Sequence, residues 1–79
     1  MEQLEELVLK IARALVGHPD QAKVNTIQGT NSIVLELSVS KEDLGKIIGK
    51  HGKNAIAMRT ILNSAAGKIH KRVTLEILE

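Results

Sequence analysis

Gly49 and Gly52 bracket two polar residues, Lys50 and His51, and further lysines stand on either side at Lys46 and Lys53. Glycine admits backbone dihedrals closed to other residues and lets a second backbone approach closely. The residues that follow have the apolar spacing of a helix, so the glycine pair ends at a helix N-terminus whose free N–H groups point outward. Free N–H groups, the positive end of a helix dipole and nearby ammonium groups together make an anion site. Lys46, Lys50 and Lys53 can each reach a phosphate, and His51 can donate to one. The chemistry this spacing supports is the capture of a phosphate-bearing backbone.

Nucleotide hydrolysis needs a different pattern. A Walker-type loop reads Gly, four residues, then Gly-Lys-Ser/Thr. Gly45 and Gly49 have only three residues between them, Lys50 is followed by His51, and Gly52-Lys53 is followed by Asn54. The Mg²⁺-binding hydroxyl is missing, and a helix rather than a strand precedes the loop. The dinucleotide fingerprint G-x-G-x-x-G is also missing. With no cysteine, and three histidines that lack an i,i+4 spacing, a zinc site has no ligand set. Glu5/Glu6 and Glu42/Asp43 are adjacent pairs near helix starts, where carboxylates favour the dipole. Adjacent helical residues do not face one another, so neither pair suits acid–base work. His18, before Pro19, and His70, in a basic stretch, read as surface residues, and Ser64 has no neighbouring base in any recognisable motif. The expectation is a chain that is not an enzyme and takes no cofactor or metal.

Charge and composition point the same way. The formal net charge is only +2, but Leu44–Arg72 holds seven Lys/Arg (Lys46, Lys50, Lys53, Arg59, Lys68, Lys71, Arg72) and no acid, whereas Met1–Asp43 holds seven acids against four Lys/Arg. A basic stretch of this length suggests a surface that meets an anion, although chance clustering on solvated faces gives the same count. There is no Phe, Tyr or Trp. Modules that stack bases on aromatic rings gain ~1–3 kcal/mol per base from it, and this chain lacks that means.

Holding such a loop in place takes the rest of the chain. Its 79 residues suffice for one small domain, 1–79, whose stability must come from aliphatic packing or association. Leu4, Leu7, Val8, Ile11 and Leu15 predict an amphipathic helix over 3–16, stopped by Gly17-His18-Pro19-Asp20. Residues 22–28 predict a strand of poor alternation, Gly29-Thr30-Asn31 a turn, and Ile33, Leu35, Leu37 and Val39 a half-buried strand of the same hairpin. Ser40-Lys41-Glu42-Asp43 resembles a capping box opening a short helix through Leu44, Ile47 and Ile48. After the glycines, a helix carries Ala55, Met58, Ile61, Leu62 and Ala65 on one face and fades at Ala66-Gly67. Val73, Leu75 and Ile77 mark the last strand, 73–78. The order α-β-β-α-α-β predicts an α+β two-layer sandwich with a three-stranded mixed sheet, the last two strands parallel.

Ile47-Ile48-Gly49-Lys50-His51-Gly52-Lys53-Asn54-Ala55-Ile56 resembles the KH signature, an aliphatic pair, then GXXG, then a downstream aliphatic residue. The element order resembles the type II KH arrangement. Val24-Asn25, Glu42-Asp43-Leu44-Gly45-Lys46, Arg59-Thr60-Ile61-Leu62 and Arg72–Ile77 extend the likeness over almost the whole chain, to the small stand-alone bacterial KH proteins of the KhpA (YlqC) family. In KH domains the GXXG loop clamps the backbone of about four nucleotides. The resemblance implies that Gly49 and Gly52 shape the loop and that Lys50 and His51 face single-stranded RNA. It implies that Lys46, Lys53 and Arg59 border the groove and that Ile48 and Ile56 floor it, while Ile47 and Ile56 fit the core equally well. It puts a basic variable loop at Ala66–Lys71. It further implies a homodimer or a pairing with a second KH protein of the KhpB (Jag/EloR) type, acting as an RNA chaperone or post-transcriptional regulator. KH grooves hold bases by aliphatic contact and hydrogen bonds, so a single groove here should bind at micromolar affinity or weaker.

A second function class stands beside this one, a protein-interaction or dimerisation module with secondary RNA binding. Three strands with helices on one face leave the other face partly open, with Val34 and Leu78 beside Ser32, Ser38 and Thr74. The acidic start lacks the pattern of a signal peptide and no apolar run reaches the ~20 residues of a membrane span, so a soluble, cytoplasmic protein is expected.

Overall fold

The sheet is built on β2 (Ser32–Ser38), whose alternation is complete: Ile33, Leu35 and Leu37 are fully buried, and Ser32, Val34, Glu36 and Ser38 are half-buried on the opposite side. Burying each large aliphatic side chain is worth roughly 1.5–3 kcal/mol, so the central strand has one stable facing. β1 (Lys23–Gln28) pairs with it antiparallel, from Lys23 opposite Ser38 to Gln28 opposite Ile33. β3 (Arg72–Ile77) pairs on the other side in parallel, from Ser32 beside Arg72 to Leu37 beside Ile77. The order is β1-β2-β3, with β1 and β3 as edges. The weak alternation of β1 is matched by its burial, since it has no fully buried residue.

The computed structural model describes residues 2–79; Met1, the first residue of the expected domain, lies outside the described residues. The helices are α1 (Glu2–Leu15), α2 (Leu44–Ile48) and α3 (Lys53–Ile69). All three feed one aliphatic core: Leu4, Val8 and Ala12 from α1, Ile47 from α2, and Met58 and Leu62 from α3, against Ile33, Leu35, Leu37, Val73 and Leu75 of the sheet. The α+β sandwich and its mixed sheet are therefore as expected. The uncovered sheet face carries Ile27 opposite Val34, then Glu36 beside Glu76, with Asn25 Nδ2 donating to Glu36 Oε1 (3.0 Å). Thr26 Oγ1 donates to Glu5 Oε2, tying β1 to α1.

Three expectations need correction. Ile61 does not share the buried face of α3; it is 44 % exposed, while Ala55, Met58 and Leu62 are buried. The helix also does not fade at Ala66-Gly67. It continues to Ile69, because Ala65, Ala66 and Ile69 still pack against the core. It ends at His70, in the left-handed region (φ 57°, ψ 38°), with the Lys71 N–H donating back to the Ala66 carbonyl at 3.3 Å. Glycine usually fills such a position, but histidine is among the residues that tolerate it. The basic loop expected at Ala66–Lys71 therefore shrinks to His70 and Lys71. Finally, the Ser40 side chain caps no backbone N–H; Lys41–Asp43 forms a single 3₁₀ turn ahead of α2, opened by the Asp43 N–H donating to the Ser40 carbonyl (2.9 Å), and Ser40 Oγ donates to the Asp43 carboxylate (2.9 Å).

Candidate nucleic-acid interface

The chain between α2 and α3 reverses over four residues whose dihedrals glycine makes possible. Gly49 sits at φ 78°, ψ 170°, a region essentially closed to other residues, and Gly52 is left-handed at φ 74°, ψ 14°. Between them His51 is also left-handed (φ 58°, ψ 26°). The Gly49 N–H donates to the Gly45 carbonyl (2.8 Å), ending α2, and the Gly52 N–H donates to the Gly49 carbonyl (3.1 Å), closing the turn over Lys50 and His51. Lys50, His51 and Lys53 are all exposed at this tip. The loop opens directly into α3, so its polar pair stands at a helix N-terminus, where an anion is favoured.

The two aliphatic candidates flank the loop in the open. Ile48 is 38 % exposed and Ile56 61 % exposed, whereas Ile47 is fully buried. Of the pair that fitted groove and core equally, Ile47 belongs to the core and Ile56 does not. Ile56, Arg59 and Asn63 recur at i, i+3 and i+7, so they share one side of α3. That side leads away from the loop toward β3, where Arg59 Nη2 donates to the Leu75 carbonyl (3.3 Å). A cleft of about 210 Å³ lies there, lined by Arg59, Leu62, Asn63, Val73, Thr74 and Leu75. A ligand strand starting at the Lys50–His51 tip and passing Ile56 and Arg59 would meet positive charge, apolar surface and an edge strand in turn.

Lys46 stands apart from the other cations. Its Nζ lies 3.5 Å from Asp43 Oδ1, so its charge is in part committed to a carboxylate. Asp43 is fully buried, and sequence reasoning missed its role. It accepts from the Gly17 N–H (3.0 Å), the His18 N–H (2.9 Å) and Ser40 Oγ (2.9 Å), with His18 Nδ1 at 3.1 Å. Burial by itself would raise this carboxyl's pKa. The Gly17 N–H, the Ser40 hydroxyl, the His18 ring and the His18 N–H together hold it well below the ordinary carboxylate range. The charge binds the turn after α1 to the start of α2, and so steadies the helix that carries the loop. The sequence signal for it was half visible, in the Ser40/Asp43 spacing; His18, read as a surface residue, is exposed but supplies the other half from 25 positions away.

Among the described residues, every buried side-chain nitrogen or oxygen has a hydrogen-bond partner, and no group of three or more His, Cys, Asp or Glu is placed to hold a metal. No helix of the described residues is long and apolar enough to cross a membrane.

The chain matches the family model described as KhpA/KhpB, KH domain, over residues 5–77. It is 53 % identical over 73 residues to the RNA-binding protein KhpA of Caldanaerobacter subterraneus subsp. tengcongensis, covering 92 % of this chain and 97 % of that one. The RNA-binding protein KhpA of Clostridium perfringens is 49 % identical over 75 residues, 95 % of this chain and 100 % of its own. The protein of the same name from Aquifex aeolicus is 47 % identical over 79 residues, the full length of both. With its fold, its glycine loop and this full-length likeness, the chain belongs to the KhpA/KhpB family of KH domains.

Proposed function

We propose that this protein binds single-stranded RNA, gripping the phosphate backbone at the Gly49–Gly52 loop, and that it carries out no catalysis. The observation that carries the proposal is the exposed Lys50–His51 pair on a turn that only glycines permit, at the start of α3 and beside exposed Ile48 and Ile56. The relatives' name, RNA-binding protein KhpA, supports the same ligand. In this reading Lys50 and His51 meet the phosphates, Lys53 adds charge at the helix start, and Lys46 contributes less because Asp43 holds it. Ile48 and Ile56 give bases an apolar floor, and Arg59 lines the far part of the groove. Without aromatic stacking, a single groove binds at micromolar affinity or weaker and with modest sequence preference. Pairing with a second copy, or with a KH protein of the KhpB type, would raise avidity by making the second contact intramolecular. Exposed Ile27 on the uncovered sheet face, Leu78 just past β3, and Ile61 on α3 offer apolar surface for that pairing. The cellular role that fits is a cytoplasmic RNA chaperone or post-transcriptional regulator.

Fluorescence anisotropy of labelled single-stranded RNA tests this, comparing the wild type with Lys50→Asp/His51→Asp at two salt concentrations. Circular dichroism checks that the variant is folded. Binding that weakens with salt and is lost in the variant supports the proposal. Equal binding by both proteins, or by neither, moves the same surfaces to a reading as a dimerisation module. That reading predicts an unchanged oligomeric state in the loop variant by sedimentation velocity.

A further inference from the structure

The Asn54 side chain crosses the base of the glycine loop. Its Nδ2 donates to the Lys46 carbonyl at 2.8 Å, joining the first turn of α3 back to α2 over eight residues. Helix α2 is only five residues long, and its last carbonyls have no partner within the helix. The Gly45 carbonyl takes the Gly49 N–H, and the Lys46 carbonyl takes Asn54. Among the described residues this is the only side-chain hydrogen bond that links α2 or the loop to α3.

Gly49 is packed against the same group. A Cβ placed on Gly49 would lie 2.7 Å from Asn54 Cγ and 2.9 Å from its Nδ2, closer than atoms of real side chains come. The Asn54 amide thus fills the space that the missing side chain of Gly49 leaves, while its hydrogen bond fixes where that amide stands. No such contact exists at Gly52, whose Cβ position has nothing within 4 Å. The loop is therefore clamped on its α2 side and open on its α3 side.

We propose that Asn54 is the positioning residue of the loop: without touching RNA, it holds Gly49–Gly52 in the one shape that presents Lys50 and His51 outward. This rests on the loop being the RNA site. A loop that spends only a fraction of its time in the binding shape loses apparent affinity by that fraction. Removing the clamp should lower affinity by up to about ten-fold, the most a single net hydrogen bond commands.

The test uses Asn54→Ala and Asn54→Asp in the full chain. Asparagine and aspartate have nearly the same shape, but an ionised aspartate cannot donate to the Lys46 carbonyl. It also favours the helix start through the dipole, which offsets part of the lost bond in global stability. Amide hydrogen exchange at Gly49 and Gly52, measured without RNA, should rise about three- to ten-fold in both variants, with exchange at Ile33, Leu35 and Leu37 unchanged. The RNA affinity of Asn54→Ala, by anisotropy, should fall, by at most that factor. Unchanged exchange at Gly49 and Gly52 in both variants overturns the proposal, and so does faster exchange with unaltered RNA affinity. A wild type that binds no RNA while the exchange result holds removes the RNA reading and leaves Asn54 as the residue that fixes the loop.

Discussion

The two glycines of the loop look equivalent in sequence and should behave very differently when replaced. Gly52 is left-handed, φ 74° and ψ 14°, and a Cβ there meets nothing within 4 Å. A left-handed non-glycine residue costs about 1–2 kcal/mol, and the stiffer unfolded chain returns about 0.4–1 kcal/mol. Gly52→Ala should therefore lose about 1.5 kcal/mol at most. Gly49 lies at φ 78°, ψ 170°, where a side chain costs about 1–3 kcal/mol. Its Cβ would also stand 2.7 Å from Asn54 Cγ and 2.9 Å from the Asn54 backbone nitrogen. The amide can swing away only by giving up its bond to Lys46, about 1 kcal/mol, and the backbone nitrogen, set in the first turn of α3, cannot swing at all. With the same return from the unfolded chain, Gly49→Ala should lose about 1–4 kcal/mol before the clash with the Asn54 backbone nitrogen adds to it, against a total of roughly 4–12 kcal/mol for a domain of this size. Urea denaturation followed by circular dichroism measures both losses, with thermal melting as a check. Midpoints should fall by about 4–8 °C per kcal/mol. Equal losses at the two positions, or a larger one at Gly52, would refute the contact between Gly49 and Asn54 and the loop shape drawn from it.

Other outcomes follow from the same structure. Lys50→Ala should reduce the salt dependence of RNA binding by about 0.7 in slope, one phosphate's share for a single strand. Lys46→Ala should reduce it by less than half as much, because Asp43 Oδ1 already lies 3.5 Å from its ammonium; titrations over a series of salt concentrations separate the two. Asp43 has a folded pKa held below its unfolded value of about 3.9. Its contribution is therefore fully present above that value and is lost as pH falls through it toward the folded one. Asp43→Asn should be less stable than the wild type at pH 7 and should lose less further stability on acidification from about pH 5 to pH 2, as denaturant midpoints against pH will record. Leu35→Ala, at a fully buried position of the central strand, should cost about 2–5 kcal/mol. Val34→Ala, next to it on the uncovered face, should cost under about 1 kcal/mol by the same urea assay.

Much of this protein is written in short-range patterns. Ile33, Leu35 and Leu37 alternate with polar or half-buried neighbours, so β2 and its facing follow from period two alone. Leu4 and Val8, four apart, mark the buried side of α1, and the Gly49–Gly52 spacing marks the loop, because the backbone there needs glycine whatever surrounds it. The element order follows from those local patterns, and the mixed sheet follows from the order.

Other features depended on neighbours far away in the chain. A left-handed stop is a property of the backbone, and packing of Ile69 on the core carried α3 past Gly67 to His70. Ile61 and Leu62 are equally apolar in sequence, and only the orientation of α3 against the sheet exposes one and buries the other. Asp43 read as a carboxylate at a helix start until Gly17 and His18, brought back by the turn after α1, surrounded it. Arg59 met the Leu75 carbonyl only when β3 paired with β2 and placed that strand beside α3. The sequence alone determined the periodic strand and helix faces and the glycine turn, since each is a local steric or hydrophobic requirement. Tertiary structure alone decided the buried charge, the end of α3 and the cleft, since each is closed by a partner that no local pattern can name.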